Sequence, residues 1–195
     1  MIACSALFLV SCALFDSDDD AILDVNGILK LRPGDKLYTS HNLWFDDKNE
    51  IFQVHYHRGR ILPFGTEVKI VEAHPYEIVF SDVAGGETYR LSVLKKFAMS
   101  SAENYMKLLF TKKSPDKLVE GISPAVLDKI KKGVVGKGMS KNEVIICFGY
   151  PPLHRTPSIS EDTWIFFNTP VETERVMFNR KGQVVDIIKH QEVKK

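Results

Sequence analysis

Two kinds of side chain in this 195-residue chain could carry reaction chemistry: the thiol of Cys147, and the imidazoles of His55 and His57. Cys147 could act as a nucleophile if His154 or His190 served as its base. A reactive thiolate is favoured at a helix N-terminus, next to the positive end of the dipole. Cys147 instead falls in the last turn of a predicted helix, where the dipole opposes a negative charge. Its neighbours Ile146 and Phe148 point to an inert core thiol, and neither histidine has a recognisable orienting partner. No catalytic residue is therefore expected, and a cysteine-peptidase type of enzyme is the alternative.

His55-Tyr56-His57 places two imidazoles two residues apart. In a strand such residues share a face and could share a metal ion. A third ligand would have to come from His41, His74 or a carboxylate, and the sequence brings none of them near. Phe52, Val54 and Tyr56 make the better apolar face, which leaves His55 and His57 on a solvated exterior beside Arg58 and Arg60. No metal and no other cofactor is expected, with a metal-binding protein as a further alternative. The glycine-rich "GVVGKG" (133–138) carries no phosphate-loop signature, because Met139-Ser140 follows it and a helix precedes it.

Composition narrows the partners. Lys+Arg number 26 against Asp+Glu 25, a net charge of +1, so no global field draws in nucleic acid. Hydrophobic residues at 44% and aromatics at 10% are ample for packed cores. Three cysteines, Cys4, Cys12 and Cys147, lack metal-ligand spacing and are too few for a disulfide framework.

The segment around Cys12 reads as an address. Residues 1–15 are uncharged, and the apolar run is shorter than the ~20 residues of a spanning helix but fits a signal-peptide core. Leu9-Val10-Ser11-Cys12 resembles the bacterial lipobox. That resemblance implies cleavage after Ser11 and diacylglycerol on Cys12. The n-region charge then falls to the α-amine or to residues upstream of Met1. Asp16-Ser17-Asp18-Asp19-Asp20 reads as a solvated tether. Ala13 after the cysteine resembles an outer-membrane sorting signal, so the protein is expected to face the periplasm from a lipid anchor.

The remaining elements divide the chain into an acidic tether (12–27) after the signal (1–11), a β region (28–97), a helical connector (98–119) and an α+β region (120–195). Period-two runs in "KLYTSHNLWF", "EIFQVHYH", "TEVKIVEA", "YEIVFSDV" and "ETYRLSVL" predict five or six short strands and a small barrel. "RILPFGTEVKIVEA" resembles bacterial SH3-like domains, which implies binding of cell-wall peptides or proteins. Ser100 to Glu103 predicts a capped helix through Phe110, broken near Pro115. Beyond it, a helix over 125–132, a helix boxed by Ser140 and Glu143, the strand "TWIFFN" and a hairpin around 179–182 predict an α+β layer.

"KGMSKNEVIICFGYPP", "DTWIFFN" and "ERVMFNRKGQVVDI" resemble the BamE (SmpA/OmlA) family of small outer-membrane lipoproteins, with Gly138, Met139, Ser140, Glu143, Val144, Gly149, Pro151, Trp164, Val176, Phe178, Gly182 and Val184 at matching positions. The fold class expected overall is α+β: an SH3-like barrel, a connecting helix, and a BamE-like domain of two helices on a three-stranded antiparallel sheet. The resemblance implies a non-catalytic binding, scaffold or envelope-assembly factor, whose partners would be an envelope protein or peptidoglycan. Trp164 and Phe166 are the candidate partner-binding anchors, with burial in the core as their other possible place.

Overall fold

The computed structural model describes residues 21–52, 54, 56–93 and 100–191. The fold is mixed α+β, with a curled six-stranded sheet, a two-stranded pair and a three-stranded sheet. Cys12, Cys4 and the acidic run lie outside the described residues, as does His55.

The chain docks earlier than its composition suggests. Leu23 N–H donates to Ala73 O at 2.9 Å, and Asp24 caps a short helix α1 (Val25–Leu29) by accepting from Gly27 N at 3.1 Å. Leu23, Val25, Ile28 and Leu29 then pack on the first core, so residues 23–27, expected in the tether, belong to the fold.

The first core lies under the curled sheet. Its order is β3 (Glu50–Phe52), β7 (Thr88–Ser92), β6 (Glu77–Asp82), β5 (Glu67–His74), β1 (Leu37–Thr39) and β8 (Phe110–Thr111). All pairings are antiparallel except β3 with β7. In β5 the register slips between Ile70 and Glu72. Such a bulge bends and over-twists its strand, which favours a curled sheet over a flat one. Helix α2 (Ala102–Leu109) is capped by Ser101, one residue later than the sequence suggests, and buries Ala102, Met106 and Leu109 in this core. Met106 and Leu109 each contribute roughly 1.5–3 kcal/mol relative to exposure. The expected connector is thus a wall of the first core.

The second core lies between helices α4 (Pro124–Lys131) and α5 (Lys141–Phe148) and a sheet ordered β11 (Val184–Gln191), β10 (Glu172–Phe178), β9 (Thr163–Thr169). A four-residue helix, α3 (Pro115–Leu118), precedes it. The predicted capping box forms at α5: Ser140 N–H donates to Glu143 at 2.6 Å, and Glu143 N–H returns to the Ser140 hydroxyl at 3.3 Å. Trp164, Phe166, Val176 and Phe178 face the helices, as strand alternation requires.

A small pair, β2 (Leu43–Phe45) with β4 (Arg60–Leu62), joins the two cores. Leu43 and Phe45 pack into the first core, while Trp44 between them packs into the second. Successive strand residues point to opposite faces, so three residues serve both cores. Asn42, wholly buried, fixes this joint. Its side-chain amide donates to Ile130 O at 2.7 Å and Cys147 O at 3.2 Å, its carbonyl accepts from Phe64 N at 3.0 Å, and its backbone N–H donates to Ile146 O at 3.0 Å. It thereby adds a side-chain donor to carbonyls in the last turns of two helices.

Candidate functional site

A cavity of about 360 Å³ lies beside the joint. One wall comes from α2 through Tyr105, Leu108 and Leu109; the other is the loop from Tyr150 to Ile159; His41 and Val54 close the side next to the joint. Among the described residues no Lys, Arg, Asp or Glu side chain lines it.

Its geometry starts at Gly149. Helix α5 ends there with φ +81, a left-handed value that an L side chain rarely adopts. A Cβ at Gly149 would also lie 2.7 Å from His41 Cδ2 and 2.8 Å from its Nε2. Only glycine lets α5 end against the His41 ring, and Tyr150-Pro151-Pro152 then lead away from the helix. His41 is 1% exposed and meets Tyr150 edge-on, with centroids 6.0 Å apart. Ser40 donates its hydroxyl to the Leu108 carbonyl and accepts from His41 Nδ1–H at 2.7 Å. That pair of bonds fixes the imidazole in its Nδ1–H tautomer.

The loop wall is pinned along its length. Arg155 N and Thr156 N both donate to Pro152 O at 2.9 Å, and Ile165 N on β9 donates to Thr156 Oγ1 at 3.0 Å. His154 stacks on Phe167 with centroids 5.7 Å apart, and the Arg155 guanidinium sits 5.5 Å over the same ring. At the far end Lys141 Nζ donates to the carbonyls of Ile159, Ser160 and Glu161 at 3.0, 3.2 and 2.8 Å. Burial, with the neighbouring Arg155 charge, lowers the His154 pKa and favours its neutral form. Burial raises the pKa of Tyr105 and Tyr150 and keeps both phenols protonated.

The structure separates the residues that the sequence singles out. Cys147 is wholly buried in the second core. Burial first, and the Glu174 carboxylate second, push its thiol up to about 12. Glu174 is itself buried on the inward face of β10, opposite Lys189, and burial raises its pKa too. His190 lies exposed on β11 opposite Thr173.

His57 is a correction. The strand expected over 50–57 ends at Phe52, so His57 lies on no strand face. The ring is not on a solvated exterior but lies half-buried against Trp44 (4.4 Å), Phe148 (4.1 Å) and Phe166 (5.4 Å). Its backbone N–H donates to Phe167 O at 2.9 Å, which draws the segment onto the edge of β9 instead of into the first sheet. Among the described residues no group of three His, Cys, Asp or Glu could hold a metal ion. His74 lies elsewhere, its Nε2 2.9 Å from Glu72.

Trp164 and Phe166 are corrections as well. They are 0% and 1% exposed, inside the second core, and present no ring to a partner. The aromatics near the surface feature are Tyr105 and Tyr150, which the sequence marks only as a helix residue and a post-helix turn residue.

Compared with known proteins, the chain matches no family model, and no curated protein or solved structure resembles it significantly.

Proposed function

We propose that this chain is a non-catalytic, periplasm-facing outer-membrane lipoprotein, anchored through Cys12, that acts as a binding or envelope-assembly factor. In this reading the curled sheet is a variant of the SH3-like barrel, and the second core is BamE-like. The observation that carries the non-catalytic part is the placement of Cys147: a thiol shut in a core and held protonated far above neutral pH cannot supply a thiolate. The order helix, boxed helix, strand and hairpin supports the BamE-like assignment, and the Leu9-Val10-Ser11-Cys12 motif supports the anchor. An envelope protein or peptidoglycan is the partner this reading implies.

Mass spectrometry of the native N-terminus tests it. The expected mature chain starts at Cys12 and carries diacylglycerol. A native chain that begins with unmodified Met1 would overturn the lipoprotein reading.

A further inference from the structure

We infer that the 360 Å³ cavity beside the joint is a binding site for a small uncharged hydrophobic molecule with one hydroxyl- or carbonyl-like end. This goes beyond the anchoring and assembly role above and does not depend on where the protein resides.

Size sets the first limit. A water molecule takes up ~30 Å³ in the liquid, so the cavity holds on the order of a dozen non-hydrogen atoms. That is the low end of ordinary ligand sites, too small for a folded partner and large enough for an eight-carbon chain.

Charge sets the second. The apolar lining comes from Val54, Leu108, Leu109, Leu153, Pro157 and Ile159. The polar groups are imidazoles, phenols and hydroxyls, and those with a resolved shift are pushed toward their neutral forms. Among the described lining residues an ion would meet no counter-charge for the hydration it loses, which costs far more than an uncharged polar end loses. A hydroxyl or carbonyl can instead be met by the phenol of Tyr150.

The wall is built to persist. The Tyr150–Ile159 loop is fastened to β9 through Thr156 and to α5 through Lys141, so the cavity does not depend on a loose flap. At its rim Leu153 and Ile159 are 39% and 52% exposed, an apolar lip that gives an apolar ligand a path inward.

The test uses the full chain carrying Cys12→Ser, which is free of any acyl group whether or not the anchor reading holds. 1-Octanol, octanoate and octylammonium share one body and differ in head-group charge. Titration calorimetry should show saturable one-site binding of 1-octanol, at least tenfold tighter than either ion. Leu153→Trp, at an exposed rim position, should weaken it at least tenfold. Val171→Trp, at an exposed turn that does not line the cavity, should leave it unchanged. Absence of saturable octanol binding, or equal binding by Leu153→Trp, would overturn the site. Tighter binding of either ion would overturn the ligand class. So would tenfold stronger binding of acetyl-Leu-Pro-Leu-amide, which would make the cavity a pocket for a partner's side chain.

Discussion

His57 and Phe148 meet twice. Their rings lie 4.1 Å apart at 41°, and His57 Nε2 donates to the carbonyl of Phe148 itself at 3.0 Å. Since a carbonyl only accepts, the proton sits on Nε2. One residue from the β region therefore both stacks on the last residue of α5 and ties down one of its terminal carbonyls.

This contact yields a pair of variants. His57→Ala should cost about 2–3 kcal/mol, since it removes the stack against Trp44, Phe148 and Phe166 as well as the bond. His57→Phe keeps an aromatic ring but leaves the Phe148 carbonyl without this donor, at about 1–2 kcal/mol. Urea unfolding distinguishes them; equal midpoints for both variants and the parent would show that the joint carries no stability.

Gly149→Ala should be among the most damaging single-methyl additions in the chain. It combines φ +81 with a Cβ 2.7 Å from a buried imidazole, and we expect about 3 kcal/mol. Gly138→Ala is the control, with φ +88 and no atom within 4 Å, and should cost about 1 kcal/mol. Thermal melts of both proteins separate backbone strain from steric contact with His41.

Cys147 makes the fold sensitive to alkali. Its pKa rises from an ordinary 9.0 to about 12 on folding, so the native state holds the proton more tightly than the unfolded state. Stability from this group is complete below pH 9 and is lost as pH rises toward 12. Cys147→Ala should lower stability at neutral pH by about 1 kcal/mol and flatten the decline between these values. Alkylation of native Cys147 at pH 8 should be slow and should accelerate on adding denaturant. Labelling in minutes without denaturant would contradict a buried thiol.

Lys141 holds three successive carbonyls at the end of the cavity loop. Lys141→Met should leave α5 in place, because its cap belongs to Ser140 and Glu143. Amide exchange across 150–161 should nevertheless rise about tenfold, corresponding to roughly 1.4 kcal/mol of local stability. Unchanged protection in hydrogen-exchange mass spectrometry would show that the turns at Pro152 and Thr156 suffice.

Local chemistry made much of the second half legible. Ser140 with Glu143 three residues later can satisfy two helix N–H groups in one way, and it does. The alternation in "TWIFFN" and "ERVMF" shows which residues face inward, although it leaves open whether that face meets a core or a partner. Burial of Trp164 and Phe166 was settled by two helices closing over them. The cavity was less legible. Its residues come from α2, the joint and the 150–159 loop, spread over more than 100 positions, and Tyr105 and Tyr150 carry no signal that they meet.

The sequence by itself determined the caps, turns and strand periods, because each rests on interactions within a few residues. Tertiary structure alone decided where Trp44, Asn42 and His57 belong. Period two gives each strand two faces, but the identity of the surface on each side depends on contacts 88 to 105 residues away in the chain. So Asn42 became the bolt between two helices, and His57 became part of a core instead of a metal ligand or a solvated side chain.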